Sequence, residues 1–314
     1  MTRIKLGTRG SLLAMAQSRG VAAALETAVP GLSVELVEIR TSGDRIQDVP
    51  LGPHLGQSFF TKEIEDALLD GRVDVAVHSC KDLASALPDG LVIGAIPERE
   101  DPRDALVSRG ARLDDLPAGA RVGTSSPRRR SFLAQARPDV ALQEQRGNVP
   151  TRVRAVDEGK ADAVVLAVAG LRRLDLQDRI VEILEPDVML PAAAQGALAL
   201  QIRTDDAEVA RIVATLEDGG ARTEVTAERA CLRRLEAGCQ APLGVLARAT
   251  AQGVEVRAAI ASPDGLVRVS VQGTRDDPSD AGVALAEELL GELGLESLSE
   301  VTWAGAPARG RSAR

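Results

Sequence analysis

Aromatic side chains are almost missing from this chain of 314 residues, which has three Phe, one Trp and no Tyr. Phe59, Phe60, Phe132 and Trp303 cannot build a core between them, so packing must rest on Ala, Val and Leu within an apolar fraction of 44%. Histidine is equally scarce, with two residues, and the three cysteines, Cys80, Cys231 and Cys239, lie too far apart for a zinc quartet or a disulfide framework. Metal and redox roles are therefore excluded. No run of eighteen apolar residues occurs, and the amino terminus opens on a charged strand rather than the apolar core of a signal peptide. A cytoplasmic protein with no membrane partner is expected. The net charge of −8 gives no basic field to steer a polyanion, which argues against a nucleic-acid partner. Neither a Gly-x-x-x-x-Gly-Lys-Ser/Thr loop nor a Rossmann glycine fingerprint is present, so ATP and dinucleotide sites have no motif behind them.

What the chain does contain is rhythm. Short β-branched runs alternate with helical stretches from Ile4 to Val77 and again from Arg121 to Val168, which predicts two α/β units. The charged stretch Pro97-Glu-Arg-Glu-Asp-Pro102 separates them as a hinge, and Leu190-Pro-Ala-Ala-Ala-Gln-Gly196 forms a second crossing. The expected division is a first α/β domain over 1–98 and 198–216, a second over 102–192, a small α+β domain over 219–305, and a disordered tail over 306–314. The return of the strand at Ala197–Gln201 to the first domain is not fixed by sequence. In the third domain a helix is expected at Glu224–Glu236, starting after the Gly219-Gly220 pair.

Five segments could carry chemistry. In Val73-Asp-Val-Ala-Val-His-Ser-Cys-Lys-Asp82 an apolar strand ends abruptly in polar residues, at the kind of strand carboxyl end where α/β sheets place ligand groups. Asp82 beside Lys81 suits an acid, a base or a stabiliser of positive charge, and equally a solvated turn with an ordinary ion pair. Gly123-Thr-Ser-Ser-Pro-Arg-Arg-Arg130 turns a strand into a helix, with Pro127 at a first helical position, and reads as an anion cradle. Gln145-Arg-Gly-Asn-Val-Pro-Thr-Arg152 offers Arg146, Asn148 and Arg152 in another such passage. Lys5-Leu-Gly-Thr-Arg-Gly-Ser11 repeats the device, with Ser11 suited to a helix cap and Arg9 to a ligand. Three anion-ready turns imply a polycarboxylate or polyphosphate, and the missing phosphate loops favour carboxylate. Cys239, in Glu236-Ala-Gly-Cys-Gln240, follows a helix end beside Gly238; it is either an accessible nucleophile or a packed thiol.

Taken in order, Gly7-Thr-Arg-Gly-Ser11, Val77-His-Ser-Cys-Lys-Asp82, Glu98-Arg-Glu-Asp-Pro-Arg-Asp104, Gly123-Thr-Ser-Ser126 with Arg128-Arg129, Arg146-Gly-Asn148, Leu166-Ala-Val-Ala-Gly-Leu171 and Glu236-Ala-Gly-Cys-Gln240 resemble the porphobilinogen deaminases, also called hydroxymethylbilane synthases. The resemblance runs from Ile4 to the final helix. It implies a monomeric transferase with two periplasmic-binding-protein-like α/β domains and a small α+β domain. It also implies a dipyrromethane cofactor on Cys239, to which four porphobilinogen units are added with loss of ammonia before hydrolysis releases a linear tetrapyrrole. On that pattern Asp82 is catalytic, stabilising a cationic azafulvene and moving protons. Lys81, Ser126, Arg128, Arg129 and Arg146 fall to the cofactor; Lys5, Arg9, Ser11, Phe60, Arg152 and Arg173 fall to the substrate.

The chain departs from the family pattern in three places. Gln57 and Pro53 stand where lysines are usual in the first-domain loop, and Ala84 replaces the usual proline after Asp82. The rival expectation is a non-enzymatic two-lobed protein that holds a small carboxylate; fold alone allows it, but a third domain and Cys239 are not needed for simple capture. A DNA-binding regulator would need a basic helix pair that the chain does not show.

Overall fold

The computed structural model describes residues 2–41, 61–237, 241–262, 265–273 and 277–301. The first sheet has the order β2-β1-β3-β10-β4. Its strands are β1, Thr2–Thr8; β2, Leu32–Glu38; β3, Val75–Ser79; β4, Leu91–Ala95; and β10, Leu198–Arg203. β1 is parallel to β2 and β3, while β10 enters antiparallel between β3 and β4, so the chain does come back to this sheet after visiting the second. Helices α1, Leu12–Ala28, and α2, Lys62–Leu69, cover it. Leu6, Leu25, Val75 and Leu200 lie in its apolar core.

The second sheet repeats the plan in the order β7-β6-β8-β5-β9. β6, Arg121–Gly123, β7, Ala141–Gln143, and β8, Ala163–Ala167, are parallel; β5, Asp104–Ser108, pairs antiparallel with β8 and with β9, Glu182–Leu184. α3, Pro127–Ala136, α4, Val149–Asp157, and the short α5, Val168–Arg172, each begin at the carboxyl end of one of the parallel strands. Phe132, the one aromatic residue of the described chain, is fully buried here. α6, Ala207–Val213, returns to the first domain.

The third domain is an antiparallel meander, β11, Leu243–Thr250, β12, Gly253–Ser262, and β13, Gly265–Gly273, with α7, Gly219–Leu235, and α8, Pro278–Leu293, packed on it. α7 starts five residues before the expected point. Asp218 accepts the Ala221 N–H at 2.7 Å, and this cap outweighs the conformational freedom of Gly219 and Gly220. β4, β5 and β9 are the strands that periodicity misses, each short and bordered by charged or turn residues. The observed architecture is thus two α/β domains and a small α+β domain. Among the described residues no helix is long and apolar enough to cross a membrane.

The two crossings lie against each other. Gly196 takes φ +88°, and a Cβ there would stand 2.2 Å from Glu100 O, so this contact admits only glycine. Arg99 of the first crossing is buried and donates to Glu228 of α7 through both terminal nitrogens, at 2.9 and 3.0 Å, to Glu224 at 3.0 Å, and to Gln195 O of the second crossing at 3.0 Å. Glu228, itself buried, also accepts the N–H groups of Ala194 and Ala247. A paired charge of this kind satisfies four chain segments at once and binds the third domain to both crossings.

Candidate active site

The carboxyl ends of the parallel strands β1, β3, β6, β7 and β8 carry most of the residues singled out from sequence. β3 passes into a 3₁₀ turn, Cys80–Asp82, closed by Leu83 N–H to Cys80 O at 3.2 Å. Cys80 and Leu83 are buried, whereas Lys81 and Asp82 between them are exposed. That order follows from the residues: the apolar members enter a cluster with Ile96, Ala194 and Val225, and turn the two charged ones outward.

Lys81 links this turn to the second domain. Its Nζ donates to Gln195 Oε1 at 3.2 Å, and Gln195 Nε2 donates to Pro102 O at 2.7 Å and to Asp104 Oδ1 at 2.9 Å. Asp104, fully buried at the start of β5, also accepts Arg129 Nη2 and Nε on Oδ1 at 2.7 and 3.1 Å, and its Oδ2 forms an ion pair with Arg128 Nη1 at 2.7 Å. Burial alone would raise the Asp104 pKa; the charges of Arg128 and Arg129, with the hydrogen bonds from Arg128 and Gln195, hold it far below the usual carboxylate range. Although Lys81 as a whole residue is exposed, its ammonium sits on Gln195 Oε1 in a part-buried contact, and the hydration lost there lowers its pKa to about 8, against the opposing pull of Asp82.

Arg128 and Arg129 are accordingly not open fingers of a cradle. Arg128 also donates to Leu190 O at 2.7 Å and Arg129 to Val165 O at 3.0 Å, so both guanidinium groups are buried and anchored, with part of their five N–H donors left over. Ser126 is the N-cap of α3, accepting the Arg129 N–H at 3.4 Å. Ser11 likewise caps α1, accepting the Ala14 N–H at 3.3 Å. Arg152 is half-buried, with its Nε on Gly147 O at 2.7 Å. Burial, then repulsion from Arg129, lowers its pKa to about 10, and among the described residues no carboxylate pairs with it. Arg173 donates to Gly196 O at 2.6 Å, which ties the end of α5 to the second crossing. Arg146 is exposed and meets Glu144 at 2.5 Å, and Arg9 leaves β1 at its carboxyl end.

Lys5 stands apart. Its carbonyl accepts the Asp74 N–H at 2.8 Å, so it lies level with the residue before β3 begins. The Asp82 turn follows five strand residues further on, about 16 Å at a rise of roughly 3.3 Å per residue. Pro53, Gln57, Phe60 and Cys239 fall outside the described residues, so the expectations attached to them have no structural counterpart here.

The other two cysteines are closed off. Burial pushes the Cys80 thiol up to about 11 and the Cys231 thiol to about 12, so neither supplies thiolate near neutral pH. The approach to Cys239 is fixed at Glu236, which ends α7 in the left-handed region with φ 51° and accepts the hydroxyls of Ser297 and Ser299, each at 2.9 Å. Two serines of the chain's last described turn thus hold a glutamate in a conformation that favours glycine. Asp104, Gln195, Arg99 and Glu228 were missed by sequence reasoning as site-building residues. The available signal was a lone carboxylate opening the otherwise apolar strand Asp104–Ser108, since a buried charge requires partners.

Lys81, Arg128, Arg129 and Arg152 therefore gather around Asp104, with Asp82 beside Lys81, leaving positive charge in excess where the two domains meet. Such a place holds anions, and its carboxylate is available to move protons. Known proteins agree with this chemistry. The family description "Porphobilinogen deaminase, dipyromethane cofactor binding domain" matches residues 4–211, and "Porphobilinogen deaminase, C-terminal domain" matches residues 222–291. The porphobilinogen deaminase of Syntrophobacter fumaroxidans is 48% identical over 301 residues, covering 95% of this chain and 97% of that one. That of a Roseiflexus species is 49% identical over 296 residues, with 94% and 98% covered. Among solved structures, the BenM effector binding domain with benzoate overlays 68% of this chain and 90% of its own at 18% identity and a TM-score of 0.41, a likeness too distant to carry weight. On both matched domains and on identity near one half over almost the whole length, the chain belongs to the porphobilinogen deaminase family.

Proposed function

We propose that this chain is a transferase of tetrapyrrole synthesis that joins four porphobilinogen molecules, with loss of ammonia, on a dipyrromethane held as a thioether by Cys239, and frees hydroxymethylbilane by hydrolysis. The observation that carries this is the charge arrangement where the two domains meet: Asp82 exposed on its turn, with an excess of arginine and lysine gathered behind it. Each pyrrole of such a substrate bears two carboxylates, and Arg152 in particular is a desolvated cation that gains from an anion. A protein that merely captures a small carboxylate has no use for an exposed Asp82 beside Lys81.

The residues fit the cofactor. Lys81, Arg128, Arg129, Arg146 and the α3 start at Ser126 would hold its carboxylates, and buried Cys80 and Cys231 leave Cys239 as the thiol for the anchor. When bound, the dipyrromethane supplies the free α-carbon at which the chain of pyrroles grows. Asp82 would set negative charge beside an incoming cationic pyrrole and take the proton released when the new bond forms. Arg9, Arg152 and Arg173 would orient the substrate, while the Ser11 hydroxyl serves as the cap of α1. Lys5 is left out because of its distance. A cytoplasmic monomer is consistent with this role.

Intact mass tests the anchor. The active protein should weigh more than its chain by one dipyrromethane, and a digest should place the excess on the peptide with Cys239. Cys239→Ser should remove it; an unmodified active chain, or an adduct surviving in the serine variant, overturns the assignment.

Lys81 gives a second test. Its folded pKa lies below the ordinary lysine value, so its charge is lost as pH rises through about 8. Assembly of the cofactor on the apoprotein, followed as adduct by intact mass, is expected to slow over that interval, and Lys81→Met should slow it at pH 7 and flatten the pH dependence. An unchanged pH profile in the variant would rule Lys81 out of carboxylate binding.

A further inference from the structure

The turn that carries Asp82 is secured unequally on its two sides. Before it, Cys80 N–H donates to Ala197 O at 3.0 Å and the Cys80 side chain is buried against Ala199, Ala221 and Val225. After it, Leu83 enters the same cluster, but from Ala84 onward the chain runs along a groove of about 390 Å³, with Ser85, Ala86 and Leu87 on one side and Arg222, Arg229 and Arg233 of α7 on the other. Arg229 spans that gap. Its Nη1 donates to Leu83 O at 3.2 Å, and its Nη2 to Ala84 O at 2.6 Å and Ser85 O at 3.2 Å. One guanidinium thus collects three successive carbonyls, which fixes the peptide planes directly behind Asp82.

The chain has little else to fix them. Ala84 has a small side chain, and among the described residues no backbone carbonyl accepts its N–H. The helix that supplies Arg229 also supplies Glu228, the partner of Arg99 and of the Ala194 N–H, and it ends at Glu236, three residues before Cys239. A single rigid helix therefore sets the Asp82 loop, the crossings and the approach to the anchor in one frame.

We propose that Arg229 is a positioning residue for Asp82: by gripping the 83–85 carbonyls from the third domain it holds the carboxylate in register with the pyrrole delivered from Cys239. This rests on Asp82 being the reacting carboxylate. Arg229→Gln should lower kcat by about 10- to 100-fold, the scale of a misplacement near 1 Å, while KM stays within about twofold and the intact mass still includes the cofactor. Amide hydrogen exchange over 83–87 should speed up in the same variant, a readout independent of turnover.

Ala84→Pro added to Arg229→Gln should restore part of kcat. Leu83 already has φ −82° and ψ 133°, which a residue before proline prefers, and the ring would stiffen the loop by another route. If the glutamine variant does not fold, Arg229→Lys keeps the charge without the fork and should show the same pattern in weaker form. In an Asp82→Asn background the cost of Arg229→Gln should vanish. Normal kcat in Arg229→Gln, unchanged exchange at 83–87, or losses that multiply with Asp82→Asn would each overturn the proposal while leaving Asp82 in its role. Near-normal turnover of Asp82→Asn alone would remove both.

Discussion

Asp82→Asn is expected to lower kcat by about 10²- to 10⁴-fold, the usual contribution of a positioned acid or base, with the cofactor still attached and KM little altered. The side chain keeps its shape and its place between buried Cys80 and Leu83, so the turn should survive; what disappears is a negative charge and a proton acceptor. Lys81 offers an internal check. Asp82 is the strongest influence that favours its charged form, and with that carboxylate gone the ammonium, already lowered to about 8, should titrate lower still. Stopped-flow consumption of porphobilinogen, beside intact mass, separates loss of chemistry from loss of cofactor. Turnover within a few-fold of the parent would show that the carboxylate does not take part in bond making.

Much of this site was legible in the chain before folding. Strand-to-helix passages end in Ser126, Asn148 and Ser11, and each proves to be an N-cap, because a hydroxyl or amide ahead of a helix has an orphan N–H within reach. The carboxyl end of Val75–Ser79 does carry Asp82 on an exposed turn. What sequence could not convey was the direction of a side chain. Arg128 and Arg129 look like open ligand contacts in a run of three arginines, yet they turn inward, since Asp104 lies buried 24 and 25 residues earlier and needs both charges. Lys5 belongs to the same motif as Arg9, but four residues along a strand move a side chain more than half the depth of the sheet.

The connections were harder again. Nothing local in Leu198–Arg203 says that it pairs antiparallel between β3 and β4, and nothing in Arg99 or Glu228 names the other as partner across 129 residues. Gly219-Gly220 was a break by propensity and a helix start in fact, because Asp218 stood ready to cap it. Periodicity reports what a segment buries, whereas these contacts depend on where distant segments meet. They are also what gives the site its frame: the crossings are held to α7, and α7 to the Asp82 loop.

The strongest dependence on that hidden wiring lies at Asp104. Asp104→Asn should destabilise the protein by about 3–5 kcal/mol, the cost of leaving buried charge without its counter-ion, because Arg128 and Arg129 would share a neutral amide in a place closed to solvent. The effect has a defined dependence on pH. The folded pKa of Asp104 is depressed, so its stabilisation is complete above the ordinary carboxylate value, near 4, and is lost as pH falls through that value and below. Calorimetric midpoints of parent and variant should therefore lie far apart at neutral pH and converge below about pH 4. Gln195 would keep one hydrogen bond to the amide oxygen, which limits collapse of the Lys81 side of the network. A midpoint gap that is small at pH 7, or that persists undiminished in acid, would mean that the two arginines find another anion within the fold.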